Sequence, residues 1–143
     1  MNDIYSMPFA VMIPFFNKAN EVIKCISSIK NEIKDNGWII LINDGSSKVE
    51  LTKIQAKVKS YNNVRIITHQ INRGVSSARN TGVEWCIIKN IKILIMIDSD
   101  STTKDKCIFH HLLMHYKMPS LSILGGAIFG EHVNLAGKID GIA

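Results

Sequence analysis

Asp98-Ser99-Asp100 places two carboxylates one residue apart, directly after the apolar run Ile91 to Ile97. Left bare, the two charges repel. A hard divalent cation, held by one or two carboxylates and by substrate phosphate oxygens, removes that cost and is the usual arrangement for Mg²⁺. The same acids can instead cap a following helix through its free N–H groups. Upstream, Asp44 in Ile42-Asn43-Asp44-Gly45-Ser46-Ser47 offers a carboxylate that can accept hydrogen bonds from a base or a ribose, beside a glycine that permits a tight turn. An Asx-type turn accounts for Asp44 equally well. The third group is Arg73-Gly74-Val75-Ser76-Ser77-Ala78-Arg79-Asn80, which opens a helical pattern. Its N-terminus can meet an anion, and Arg79, one turn in, is either placed for a phosphate or base or simply solvated. Taken jointly, the three groups describe a pocket for a nucleoside diphosphate and a metal ion.

The elements around these groups follow from hydrophobic period. Phe9 to Ile13 is a short apolar strand expected to close at Pro14. From Ala19 to about Lys34, Val22, Ile23, Ile26, Ile29 and Ile33 recur at helical spacing, and Asp35-Asn36-Gly37 supplies a stop. Trp38 to Ile42 reads as a second buried strand, followed by a helix from near Lys48 with Leu51, Ile54, Val58 and Tyr61 on its face. Val64 to Thr68 is a third strand, Val75 to Lys89 a third helix and Ile91 to Ile97 a fourth strand. A helix from about Lys104 to Tyr116 and a fifth apolar stretch, Leu121 to Phe129, come next. Such β-α alternation with apolar strands predicts an α/β fold: a mainly parallel sheet with helices on both faces. Ligands bind such sheets at the carboxyl ends of the strands, where all three polar groups fall.

Composition narrows the class. The 143 residues, 46% hydrophobic and 20% charged, fit one domain and are far from the composition of a disordered chain. No apolar run approaches the roughly 18 residues needed to span a bilayer. Met1-Asn2-Asp3 lacks the basic start of a secretory signal. Cys25, Cys86 and Cys107 are odd in number and far apart, which argues against a disulfide framework or a zinc knuckle and for a reducing cytosol. The net charge of +5 comes from lysines spread singly rather than clustered with aromatics. That distribution favours an anionic small molecule or an acidic membrane surface over nucleic acid.

The series Ile13-Pro14-Phe15-Phe16-Asn17, Ile42-Asn43-Asp44-Gly45-Ser46, Asn72 to Gly82 and Ile97-Asp98-Ser99-Asp100, in this order and spacing over residues 8–102, resembles the family 2 glycosyltransferases of the GT-A fold. The resemblance implies a Rossmann-like GT-A domain over residues 1–143 that binds a nucleotide-sugar donor, usually a uridine diphosphate sugar, with Mn²⁺ or Mg²⁺. It implies inverting transfer to a glycan or lipid-linked acceptor in polysaccharide or glycan biosynthesis, by a protein that is cytoplasmic or peripheral on the inner membrane face. Carried over residue by residue, it places Pro14, Phe15, Phe16 and Asn17 along the nucleoside and Asp44 on the base. Arg79 lies near the nucleotide, Asp98 and Ser99 at the donor, and Asp98 and Asp100 on the metal. Asn43 stands where the family more usually has an acid. Members of the family also use a later carboxylate as base. After Asp105 this chain has only Glu131 and Asp140, neither in a segment matching that motif, so the catalytic base is unassigned and the acceptor half is expected to be missing. A truncated, non-catalytic donor-binding module is the alternative.

Two other patterns carry less. The run into Asp98-Ser99-Asp100-Ser101-Thr102 also resembles the first motif of haloacid dehalogenase-type phosphohydrolases, but that motif opens its fold, whereas three β-α units precede it here. His111 and His115 have the i, i+4 spacing of a metal pair without the glutamate that would give it a mechanism, and with His110 they read as a polar face. Gly125-Gly126 to Gly130 is no dinucleotide fingerprint, since no helix opens after it.

Overall fold

The computed structural model describes residues 2–33, 36–120, 122, 123 and 125. Strands β1 (Phe9–Phe15), β2 (Gly37–Asp44), β3 (Val64–His69) and β4 (Ile93–Met96) alternate with helices α1 (Ala19–Ile29), α2 (Lys48–Val58) and α3 (Val75–Ile88), and α4 (Cys107–Lys117) follows. The strands form one sheet in the order β3-β2-β1-β4, and every pair in it is parallel. This is the α/β architecture expected from the alternation.

Side-chain alternation along the two central strands divides the core. Phe9, Val11, Ile13 and Phe15 of β1, with Ile39 and Leu41 of β2, pack against α1, α2 and α4. Ala10, Met12, Ile40 and Ile42 face α3 through Ala78 and Cys86, with Trp38 and Trp85 edge to face beside them. A side chain such as Ile39 or Leu41, wholly removed from water, contributes about 1.5–3 kcal/mol. Helix α3 approaches the sheet closely because residue 82 is glycine: a β-carbon there would overlap Met12 Sδ.

Element ends differ from the sequence reading in ways that have local causes. Pro14 does not close β1, which runs on to Phe15. Met12 O accepts from Ile97 N, so even-numbered residues of β1 direct their backbone groups towards β4. That ladder stops at Met96 opposite Met12, and the N–H that Pro14 lacks would find no strand partner there. Strand β4 is shorter than Ile91 to Ile97, because Ile91 N bonds back to Cys86 O and ends α3. Helix α1 tightens into a 3₁₀ turn, Lys30–Glu32. The stretch Leu121 to Phe129 lies largely outside the described residues, as do Glu131 and Asp140. Among the described residues no helix is long and apolar enough to cross a membrane.

Candidate functional site

A cleft of about 280 Å³ opens across the carboxyl ends of β1, β2 and β4. Pro14, Phe15 and Phe16 form one wall, and Asp44 lies at the end of β2. Asn72, Gly74, Val75 and Ala78 bring in the start of α3, and Asp98, Ser99 and Asp100 complete the rim after β4. Residues from all three polar groups therefore line one cavity, at the strand ends where this architecture binds ligands, although Arg79 is not among its lining residues.

Asp44 is 4% exposed, and its carboxylate reaches across to the loop after β3. Oδ1 accepts from Arg73 N at 3.0 Å and Oδ2 from Gly74 N at 2.8 Å. His69 Nδ1 lies 2.7 Å from Oδ1, and His69 Nε2 lies 2.9 Å from Thr81 Oγ1 on α3. Burial alone would raise the Asp44 carboxyl, but the Arg73 N–H, the His69 ring and the Gly74 N–H outweigh it and hold the group below the usual carboxylate range. The Asx-turn reading fails for this residue. The turn belongs to Asn43, whose Oδ1 accepts from Ser46 N at 2.9 Å, which leaves Asp44 free to bond 29 and 30 residues away.

The loops beside Asp44 are tied to each other. Asn17 N–H donates to Ser46 Oγ at 2.7 Å, and Ser47 N–H donates to Asn17 Oδ1 at 2.9 Å. This exchange holds Asn17 and Lys18 in the left-handed region, φ 55° and 54°, a conformation Asn tolerates better than most residues. Asn17 thus serves the turn under the cleft instead of lining it. Glu50 on α2 accepts from Ala19 N at 2.7 Å and caps α1 from a neighbouring helix. At Gly45 (φ +80°) a β-carbon would strike the backbone of Ile71 and Asn72, so the loop carrying Arg73 and Gly74 rests against that glycine.

Arg79 is not simply solvated. Its Nη2 lies 2.9 Å from Asp98 Oδ1, joining α3 to the loop after β4 with a cation beside the first of the two acids. The capping role considered for Asp98 and Asp100 also fails, since α4 starts only at Cys107. Its first turn is served by Glu32, whose Oε2 accepts from Phe109 N at 3.0 Å. Sequence reasoning missed Glu32, as it missed His69 and Cys25, because each meets its partner through the fold. Cys25 Sγ approaches Asp98 O at 3.7 Å. Burial first, then the nearby charges of Asp100 and Asp98, push its thiol up to about 12, so it remains a neutral packed group beneath the acid loop.

Two carboxylates at a cleft rim suit a hard cation that takes its remaining oxygens from a ligand and water. Among the described residues no group of three or more His, Cys, Asp and Glu side chains converges to form a complete cage. Asp98 and Asp100 could supply carboxylate oxygens to Mg²⁺ or Mn²⁺ shared with a phosphate. His111, by contrast, donates from Nδ1 to Cys107 O at 2.9 Å, in keeping with a local helical role.

Residues 10–135 match the family model described as Glycosyl transferase family 2. The chain is 36% identical over 93 residues to the glycosyltransferase YibD of Escherichia coli strain K12, a match covering 64% of this chain and 25% of that protein. Two solved structures share the fold at 15% identity. S. aureus TarS residues 1–349 superposes with a TM-score of 0.64, covering 87% of this chain and 40% of that one. The mannosyltransferase PcManGT from Pyrobaculum calidifontis, in complex with GDP-Man and Mn²⁺, superposes with a TM-score of 0.56, covering 66% of this chain and 28% of that one. The chain thus spans about a quarter of the length of the curated relatives it matches first. The phosphohydrolase resemblance of Asp98 to Thr102 loses its place, because the strand before it is the fourth along the chain, not the first, and lies within the residues that match Glycosyl transferase family 2. On its sequence and its GT-A fold, the chain belongs to glycosyl transferase family 2.

Proposed function

We propose that residues 1–143 form the donor-binding domain of a glycosyltransferase. The domain takes a nucleoside diphosphate sugar, with uridine diphosphate as the favoured carrier, together with Mn²⁺ or Mg²⁺. The sugar passes with inversion to a glycan or lipid-linked acceptor in polysaccharide or glycan assembly. The observation that carries this reading is the single cleft with a braced carboxylate, Asp44, on one side and the acids Asp98 and Asp100 on the other. Pro14, Phe15 and Phe16 offer an apolar wall to a nucleoside, and Asp44 offers an acceptor to its base. Asp98 and Ser99 meet the diphosphate end, Asp98 and Asp100 would hold the metal, and Arg79 adds a fixed positive charge. When bound, the metal supplies positive charge that offsets the charge developing on the diphosphate.

In the transfer, the acceptor hydroxyl oxygen bonds to the anomeric carbon from the face opposite the diphosphate. The bond from that carbon to the phosphate oxygen breaks with its electron pair left on the diphosphate, and the hydroxyl proton passes to a base. The residues named here serve the leaving group, and the base is unassigned. A net charge of +5 supports work beside an anionic surface, such as the inner face of a membrane.

The test is thermal unfolding of the full chain with uridine diphosphate, with and without Mn²⁺. A ligand at about 100 times its Kd adds roughly 2.7 kcal/mol to the folded state, which is several degrees for a domain of this size. A metal-dependent rise is expected. A cooperative melt unmoved by uridine diphosphate and Mn²⁺ together would refute the donor assignment.

A further inference from the structure

The bond from His69 to Asp44 takes up an acceptor position that a ligand would otherwise find open. An ionised carboxylate only accepts hydrogen bonds and has about four lone-pair positions, so the proton shared with His69 sits on Nδ1. Among the described residues, Arg73 N–H and His69 Nδ1–H fill both positions of Oδ1, and Gly74 N–H fills one of Oδ2. One position of Oδ2 remains for a donor in the cleft that Asp44 lines. His69 is itself 7% exposed and is held from its far side by Thr81 Oγ1 at 2.9 Å. It stands opposite Asp44 in the β2–β3 register, so strand pairing and helix α3 both fix the ring. The imidazole serves two polar partners at once, and an apolar side chain in the same buried place would leave both Asp44 Oδ1 and Thr81 Oγ1 one bond short.

We propose that His69, braced by Thr81, is a positioning residue that fixes the plane of the Asp44 carboxylate, so that a single Oδ2 lone pair faces the nucleotide and selects bases with a ring N–H donor. This rests on the nucleoside diphosphate reading given above. Uracil presents N3–H and guanine N1–H, whereas the corresponding ring nitrogens of cytosine and adenine are acceptors and would set lone pair against lone pair. Without the His69 bond, both oxygens regain open positions, the carboxylate turns more freely, and water or an amino group can satisfy it. Selection then weakens even where nucleotides still bind.

The experiment measures Kd by calorimetry on the full chain with Mg²⁺, for uridine diphosphate, cytidine diphosphate and N3-methyluridine diphosphate. These share the same diphosphate and metal demand, so their ratios report the base edge alone. A hydrogen bond to a charged group is worth about 10- to 100-fold in affinity, and a preference of that order for uridine diphosphate over both others is expected. His69→Leu should reduce the preference to less than about threefold, chiefly by weakening uridine diphosphate. His69→Asn, which keeps a donor near Nδ1, should retain most of it, and Thr81→Val should fall between. Wild-type ratios in His69→Leu would overturn the positioning role and leave the nucleotide reading standing. Should His69→Leu not fold, unchanged ratios in Thr81→Val would overturn it equally. A wild-type chain that binds none of the three would overturn both.

Discussion

Asp44→Asn alters one atom of the cleft and removes one acceptor from a buried cluster. The carboxylate takes three N–H groups, at 2.7, 3.0 and 2.8 Å. The amide has one oxygen, which can serve His69 and Arg73 or else Gly74, but not all three. With the oxygen towards His69 and Arg73, the amide nitrogen faces Gly74 N–H, donor against donor. One charge-assisted bond is then lost, worth about 1.5–3 kcal/mol. Asn72 Oδ1, 3.1 Å from Gly74 N, softens the loss, so about 2 kcal/mol of stability should disappear. Urea unfolding measures it near pH 7, as a lower midpoint with an unchanged slope. The pH dependence provides a second check. The Asp44 carboxyl titrates below its ordinary value in the folded chain, so its contribution is complete above the unfolded carboxyl range of about 4 and is lost as pH falls through the lower folded value. The gap between the two proteins should therefore be constant near neutrality and shrink only in acid. Equal stability within about 0.5 kcal/mol near pH 7, or a gap that widens in acid, would refute the reasoning.

Gly45→Ala adds a β-carbon at φ +80°, 2.5 Å from the Ile71 carbonyl carbon and closer still to Asn72 N. Left-handed strain plus displacement of the 71–74 loop should cost about 3 kcal/mol, with weaker uridine diphosphate binding, both read from melts with and without nucleotide. Glu32→Ala removes the acceptor for Phe109 N and should cost about 1 kcal/mol in urea unfolding, with nucleotide affinity unchanged. Asp98→Asn breaks the partly exposed pair with Arg79, so stability should change by less than about 1 kcal/mol. The added stabilisation of the uridine diphosphate complex by Mn²⁺ should be lost, and its retention would exclude Asp98 from the metal site.

The parallel sheet was legible because its two central strands are buried on both faces and carry continuous apolar runs, while the helices repeat at their own period. The cleft was legible because parallel strands deliver their following loops to one end, so Asp44 and Asp98-Ser99-Asp100 had to share an edge. The partners of those residues were not legible. Nothing local ties Asp44 to Gly74, 30 residues on, or Phe109 to Glu32, 77 residues away. His69 carries no motif of its own, and only strand register and the approach of α3 show that its ring is held at both nitrogens. Pro14 misled for a related reason: a missing N–H matters only if a neighbouring strand would have accepted it, and that depends on where β4 stops.

The strand order has a consequence for how the chain reaches this state. Strand β1 is made first yet lies inside the sheet, with Phe9 opposite Gly37 on one side and Ile93 on the other. Pairing β1 with β2 closes a modest loop, whereas pairing it with β4 must wait until most of three β-α units have been synthesised. Long-range pairing of this kind is the slow class of folding event. Until it occurs, the β3-β2-β1 sheet presents the apolar strand Phe9–Phe15 as an open edge, a template for other chains. Strand β4 is thus both the carrier of the acid loop and the element that shields β1, so completion of the cleft and escape from aggregation begin with the same closure.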